Sequence, residues 1–546
     1  MPELVLGPML RYVSTHEATV WVQTSAACEV EILGHRARTF CAGSHHFALV
    51  VVSGLEPGSS TEYEVRLDGE RHWPKAESEF PPSRIRTLPA DGPMTIAWGS
   101  CRVTAPHEPP YTLDADEDER GIGVDALYVL SQRLQARDPS HWPQMLLMLG
   151  DQIYADEVSP RTKEYISARR DLDQAPGPEV LDVDEYTMLY LEAWSEPTLR
   201  WLHSVLPTVM LFDDHDVHDD WNTSESWIAD MRQTSWWGER IIAGLWTYWI
   251  YQHLGNLSPV ELEADELYRQ VREAEDAGPL LRQFATAAER EGGGGLWSFS
   301  RQIGGSRLLV LDGREGRVLS DGQREMMDDD QWAWVTEQLT GDYDHVLLAN
   351  TLPVLLAPTL HYVEAWNEAV CQGAWGRWAI GWSEKLRRAL DLEHWASFQP
   401  SFHRFISLVA DVGSGRLGAA PASVVMLGGD VHQAYLEHVG FRSDRGVRSA
   451  VYQAVCSPFR NQLERKQRNF VGIARRSRVV GLLARAVARS AGVDDPDVRW
   501  RVEQQPTWRN QLGWLEIDGR RLAITIETTP ADHRPALEVS LHKQIS

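Results

Sequence analysis

Apolar and polar residues alternate along the first part of the chain. ATVWVQ (18–23), CEVEIL (28–33) and HFALVVV (46–52) carry the period of two expected of strands with one face buried. Turn signals separate them, as at Leu55-Glu56-Pro57-Gly58. The pattern predicts an all-β module over residues 1–90, and the Pro-rich stretch FPPSRIRTLPADGP (80–93) reads as the linker that follows.

From about residue 95 the texture changes to short continuous apolar runs, each closing in a polar cluster. These are TIAWGSCR (95–102), MLLMLGDQIYADE (145–157), TVMLFDDHDVHDDWN (208–222), RLLVLDGREGR (307–317), HVLLANTLP (345–353) and SVVMLGGDVHQ (423–433). Continuous runs of this length suit strands covered on both faces. Polar residues just beyond them fall at the carboxyl ends, where α/β sheets place ligands. Helical patterns at 124–137 and 266–277 separate the runs, so an α/β unit is expected over 95–458. Two stretches read as insertions. Residues 223–300 carry Trp227, Trp236, Trp237, Trp246, Trp249 and the flexible run Gly292 to Gly295; residues 361–400 carry Trp366, Trp375, Trp378, Trp382 and Trp395. Tryptophan at this density reads as packing and pocket wall rather than direct substrate stacking. Residues 459–546 read as a basic helical segment followed by a β-hairpin.

Composition narrows the function. With 546 residues and 43% hydrophobic content the chain can build a sizeable core in more than one unit. A formal net charge of −25 argues against a general nucleic-acid binder. It does not argue against a phosphate-ester enzyme, because bound cations reverse the field inside a carboxylate-lined cleft. Five scattered cysteines make a disulfide framework improbable. No signal-peptide pattern and no apolar run of membrane-spanning length is visible, so a cytoplasmic location is expected. Against this acidic background, Arg460–Arg489 holds nine Lys or Arg and one acid, Glu464, with apolar residues at helical spacing. The segment reads as a helix docked on the protein's own acidic surface, ahead of a contact for anionic substrate, anionic membrane or nucleic acid.

The strand ends carry the chemistry. Asp151 follows Gly150 directly after a run, a common way to present a carboxylate to a cation or to bridge two. Tyr154, three residues on, offers a phenolate suited to ferric iron. Asp213, Asp214 and Asp216, with His215 between and His218, Asp219 and Asp220 beyond, crowd carboxylates that repel one another unless protonated, solvated or bound to cations. Asp430 and His432, two apart in extended chain, can address one metal or two adjacent ones. Cys101 ends an apolar run, and by residue type alone it reads as inert packing.

Taken in order and separation, WGSCR, GDQIYADE, DDHDVHDDWN, LDGREGR and GGDVHQ resemble the motifs of the alkaline phosphatase D-like metallophosphatase family. The stretch EYTMLYLEAW…PTLRWLHSVLPTVMLFDDHD (185–216) and the preceding β-sandwich are similar to it as well. The resemblance covers most of residues 1–458. It implies a fibronectin- or Ig-like N-terminal sandwich, in which Tyr63 would bond backbone upstream, followed by a calcineurin-like metallophosphoesterase β-sandwich core flanked by helices. It also implies Fe3+ paired with Ca2+, other divalent metals remaining open. Cys101, Asp151, Tyr154 and His432 look like the iron side; Asp151, Asp214 and Asp430 look like the bridging or calcium side. At Cys101 the resemblance thus reverses the reading by residue type. Gly313 interrupts the family's common Asp-Thr-Arg triplet, and the Trp-rich insertions and basic C-terminal region look particular to this chain.

These readings predict hydrolysis of phosphate mono- or diesters by a two-metal mechanism with a metal-bound hydroxide. His215 is the candidate for proton donation or transition-state contact, with a supporting structural role as the alternative. Arg314 is placed either on a phosphate oxygen or in a salt bridge to Asp312 or elsewhere. A non-catalytic metal-binding interaction protein on the same fold is the competing reading.

Overall fold

The computed structural model describes residues 1–291, 297–319, 323–463, 468, 472, 478–504 and 506–546. The run Gly292–Gly295 and most of residues 464–477, the centre of the basic stretch, lie outside the described residues.

The apolar runs are strands of two sheets. We number only the strands beyond residue 90. They are β1 (Met94–Gly99), β2 (Met145–Leu149), β3 (Thr208–Leu211), β4 (Phe299–Ile303), β5 (Ser306–Leu311), β6 (His345–Asn350), β7 (Ser423–Gly428), β8 (Ala434–Phe441), β9 (Ala450–Cys456), β10 (Val498–Val502), β11 (Gln511–Asp518), β12 (Arg521–Thr528) and β13 (Glu538–Gln544). One sheet runs β3-β2-β1-β11-β12-β13, the other β4-β5-β6-β7-β9-β8-β10. In the first, β1, β2 and β3 are parallel; in the second, β5, β6, β7 and β9 are. Their carboxyl ends therefore gather on shared edges.

Pleating explains why these runs are continuously apolar. Leu347, Ala349, Val425 and Leu427 enter one core together with Ile96, Leu146 and Leu515 of the facing sheet. Their neighbours Val346, Leu348, Val424 and Met426 enter a second core with Phe402, Phe405 and Val409 of a covering helix. Both faces are dry, so neither can be polar.

Eight helices matter below: α1 (Ala126–Gln135), α2 (Val183–Trp194), α3 (Pro197–Val205), α4 (Trp237–Tyr248), α5 (Pro358–Cys371), α6 (Arg377–Ala389), α7 (Gln399–Ser414) and α8 (Arg478–Ser490). Asp125 starts α1 by accepting the Leu127 and Tyr128 N–H groups, and Asp182 starts α2 through Glu185 N–H, so the free amides of each first turn are met by side chains. The helix expected over 266–277 spans Glu266–Glu273.

The N-terminal module is a sandwich of two four-stranded sheets around its own core, including Leu10, Val20, Val22, Val30, Val50 and Val65. Three details differ from the sequence reading. Arg84–Arg86, inside the expected linker, pairs with Ser60–Glu62 as a strand. The Tyr63 hydroxyl donates to Ser204 O at the end of α3, 2.6 Å away, rather than closing a corner within its own module. The C-terminal residues are not an appended hairpin: β11 pairs with β1 and continues the sheet, while β10 pairs with β8 of the other. The central strand β1 needs a partner on each side, and the tail supplies one of them.

The two parts of the chain are joined by buried polar contacts. Arg11 of the first strand donates to the carbonyls of Thr208, Tyr251 and Gln252, directly behind β3, and Arg200 on α3 donates to Gly7 O. A guanidinium buried among carbonyls costs desolvation that these bonds offset, so the contact is specific in geometry. The Trp-rich stretches mostly pack: Trp227, Trp237, Trp246, Trp249, Trp366 and Trp395 are buried, whereas Trp378 is 79% and Trp382 52% exposed.

Candidate metal centre

Three carboxyl ends of β1, β2 and β7 meet where the two sheets touch. Gly429 lies so close to the first sheet that a Cβ there would fall 2.4 Å from Ser100 Oγ and 2.9 Å from Leu149 O. Gly150, at φ +101°, would place a Cβ 2.8 Å from that of Asp213. Only glycine permits both approaches. Ser100 ties the ends together, accepting the Asp430 N–H at 3.1 Å and lying 3.2 Å from Cys101 Sγ. Cys101 N–H in turn donates to Gly150 O.

Four of the predicted ligands sit in the left-handed region of backbone space: Cys101 (φ +55°), Asp151 (+49°), Asp430 (+59°) and His432 (+46°). Residues with a Cβ adopt this conformation at a cost, and such cases concentrate at sites where a side chain must be aimed. Each of the four follows a strand end and is turned away from the ladder direction.

Ligand atoms of Cys101, Asp151 and His432 lie within 4.8 Å of one another, and so do those of Asp151, Asp213 and Asp214. Asp151 belongs to both groups. The Tyr154 hydroxyl reaches Asp151 Oδ2 at 3.4 Å and accepts from Asn461 Nδ2 at 3.1 Å. Asp430 is in neither group among the described residues; its carboxylate turns toward Arg314 (3.9 Å) and His394 (3.7 Å), and its backbone carbonyl faces Cys101 Sγ. Asp213, which the sequence reading passed over in favour of its neighbour, takes the place beside Asp151 and Asp214. Asp216 is internal scaffolding, bonded by Asp213 N–H and Gln252.

Arg314 is fully buried. Its backbone N–H donates to Asp312, while its guanidinium is ringed by Asp213, Asp214 and Glu393. Three carboxylates surround the fork, the arrangement of the salt-bridge alternative, while Nη2 has no hydrogen-bond acceptor. His215 Nδ1 lies 3.0 Å from Asp156, its ring 4.8 Å from that of Tyr154, and its Nε2 3.8 Å from Asp219.

The electrostatics follow from burial and crowding. Burial, with Asp151 and Asp430 nearby, pushes the Cys101 thiol well up, and burial with Asp151 does the same to the Tyr154 phenol. Burial, reinforced by Asp213 and Asp214, raises the Asp151 carboxyl well above its ordinary range. Burial lowers His432 to about 4, which keeps its imidazole neutral. At Asp430 burial is outweighed by His394 and Arg314, and the carboxyl is lowered. At His215 burial is likewise outweighed, by Asp156, and the imidazole is raised.

The residues fit metal ions. Asp151 Oδ1, Asp213 Oδ2 and Asp214 Oδ1 are buried without a hydrogen-bond donor, a condition folded proteins seldom tolerate. A neutral imidazole, a thiol and a phenol that ionise only beside a cation, and oxygens with no donor form a donor set that cations complete.

Sequence reasoning missed Asp156, Glu393 and His394 in addition to Asp213. Asp156 lies inside the quoted GDQIYADE motif. Glu393 and His394 stand in a loop after α6 that no apolar run announces. Glu393 holds Arg314 and Arg317, and His394 links Glu364 to Asp430.

A model described as PhoD-like phosphatase matches residues 128–480, well over half of the sequence. The chain belongs to the PhoD-like phosphatase family. A second model, a domain of unknown function (DUF7800), matches residues 1–85, which coincides with the N-terminal sandwich. The chain is similar to alkaline phosphatase D of Bacillus subtilis (strain 168), with 24% identity over 180 residues, covering 32% of this chain and 25% of that protein. The match thus spans a quarter of the relative's length. A solved structure of PhoD superposes with a TM-score of 0.58 at 13% identity, covering 100% of this chain and 92% of the other, and the likeness extends to the fold. No helix among the described residues is long and apolar enough to cross a membrane.

Proposed function

We propose that this PhoD-like chain is a metal-dependent phosphoesterase acting on phosphate mono- or diesters. The observation that carries the reading is the convergence of Cys101, Asp151 and His432 with Asp213 and Asp214 around one shared carboxylate. Cys101, Tyr154 and His432 would hold ferric iron, for which thiolate and phenolate are suitable donors. Asp213, Asp214 and Asp430 would serve an oxygen-loving cation such as calcium, with Asp151 between the two. When bound, the ions neutralise phosphoryl charge and make a water nucleophilic at neutral pH.

The chain's own groups do the rest. Asp156 occupies His215 Nδ1, fixing the ring beside Tyr154 and leaving Nε2 to hold a proton for the departing alkoxide oxygen. Arg314 acts as a positioning residue, keeping Asp213 and Asp214 from drifting apart by like-charge repulsion.

The test is to purify the protein without chelator and assay p-nitrophenyl phosphate and bis-p-nitrophenyl phosphate before and after metal removal. The reading expects hydrolysis that is lost on chelation and restored by added metal. Full metal occupancy with no turnover of any phosphate ester would favour a metal-binding protein without catalysis.

A further inference from the structure

The two helices α6 and α8 leave apolar surface uncovered. Both pack on α5 through a small cluster of Trp366, Val370, Ala379, Ala488 and Ala491. The Trp366 ring lies 5.9 Å from that of Trp382 on α6 and 5.4 Å from that of Trp375, whose Nε1 in turn faces Ser490 O at the end of α8. Other large side chains point outward: Trp378 is 79% exposed, Trp382 52%, Val479 67%, Leu482 65% and Leu483 61%. Two solvent-facing tryptophans one turn apart on α6, and two adjacent exposed leucines on α8, exceed the scattered apolar residues of an ordinary surface on each of two helices packed on α5.

Charge says what covers them. The chain as a whole carries −25, yet α6 has Arg377, Lys385, Arg387 and Arg388 against one acid, and α8 has Arg478, Arg485 and Arg489 against none. Arg387 is buried between Glu368 and Glu384, and Glu384 is also turned to Ser224 and Ser226, so neither Arg387 nor the one acid of α6 faces solvent as a free charge. Asp495 pairs with Arg485 and Arg489, Asp230 pairs with Arg388, and Asp494 lies beyond the end of α8. Arg377 and Lys385 are exposed beside the tryptophans. Helices with Trp and Leu on one side and Arg or Lys flanking them lie in the interface of an anionic bilayer, with the apolar side chains at the acyl boundary. Neither helix is of a length and apolarity to span it.

We propose that α6 and α8 form a docking surface for an anionic lipid membrane, independent of the metal centre. The test uses the full chain in flotation with vesicles of phosphatidylcholine plus phosphatidylglycerol and with vesicles of phosphatidylcholine alone. Binding is expected to the anionic vesicles and to weaken with salt. The pair Trp378→Ser and Trp382→Ser, and separately the pair Leu482→Ser and Leu483→Ser, should each cut binding on the order of tenfold or more, given the apolar area withdrawn. Arg377→Glu with Lys385→Glu should remove the preference for anionic lipid. Because all six side chains are exposed, the fold should persist, read by an unchanged circular dichroism spectrum and thermal midpoint. Absence of vesicle binding by the parent chain, or equal binding by the variants, overturns the proposal. So does a concentration-dependent dimer that the serine variants abolish, which would make the surface a self-association face. Capture of single-stranded DNA lost only in the charge variant would overturn it in favour of nucleic acid.

Discussion

The two halves of the candidate metal centre are built on opposite electrostatic plans. Around Asp213, Asp214 and Asp430 the protein supplies its own cations: Arg314 inside a ring of carboxylates, with His394 beyond. Around Cys101, Tyr154 and His432 the nearby cation among the described residues is His215, its ring 4.8 Å from that of Tyr154, and burial holds the His432 imidazole neutral and the thiol and phenol protonated. Asp151 stands between, one oxygen without a donor. The difference teaches where an ion is structurally demanded. The first half is met in part by internal ion pairs, although Asp213 Oδ2 and Asp214 Oδ1 still lack a donor and burial raises both carboxyls, whereas the second half has its thiol and phenol ionised only with a cation present.

The largest effect should come from the residue common to both halves. Asp151→Asn replaces a bridging carboxylate by a neutral amide, and hydrolysis should fall by about a thousandfold or more, as when a central catalytic group is removed. Bound metal should fall with it while circular dichroism is unchanged. Turnover at the parent rate in a metal-free Asp151→Asn protein would break the comparison outright.

Arg314 should matter next, through stability. Arg314→Met leaves Asp213, Asp214 and Glu393 buried without their shared partner, at a cost of about 3–5 kcal/mol. The denaturant midpoint measures it, and added metal should recover part of the loss. An unchanged midpoint would show that the carboxylates do not depend on the guanidinium. His215→Gln, by contrast, should leave metal content and stability near the parent's and lower kcat about a hundredfold, less for an ester whose leaving group needs no proton. Equal losses for good and poor leaving groups would remove His215 from proton transfer.

A group outside the site separates acid loss of the fold from acid loss of the centre. His361, on α5, is packed against the Phe402 and Trp500 rings, and burial lowers it to about 3. The unfolded chain takes up this proton below about 6.5, the folded chain only near 3, so this residue makes stability fall as pH drops through that window. His361→Phe should flatten the dependence of the thermal midpoint on pH between those values. Identical slopes for the two proteins would contradict the assignment.

Much of the centre was legible because a strand dry on both faces must stop before its ligand. Cys101, Asp151 and Asp430 stand at or within two residues of such an end, and the parallel pairing of β1 with β2 carries the first two to one edge. What stayed hidden has physical reasons. Asp213 and Asp214 follow the same run and both reach Asp151, an outcome of the close approach of Gly150 to Asp213 that the run itself does not announce. Glu393 and His394 reach the site from a loop between α6 and α7, where no periodicity marks them. The role of β11 beside β1 depends on pairing across more than four hundred residues, which local pattern does not encode. Tyr63 likewise finds its acceptor on α3, in the other part of the chain.

The central claim is that two cations share Asp151 between an iron-type and an oxygen-type half. Elemental analysis of protein purified without chelator, read together with its visible absorption, tests it most directly. The account predicts about two metal ions per chain, one of them iron, as a two-metal site requires. It also predicts a visible charge-transfer band that Cys101→Ala shifts or weakens along with activity. Full iron occupancy, spectrum and turnover in Cys101→Ala would contradict the thiolate half, and a metal-free parent protein with undiminished turnover would contradict the whole.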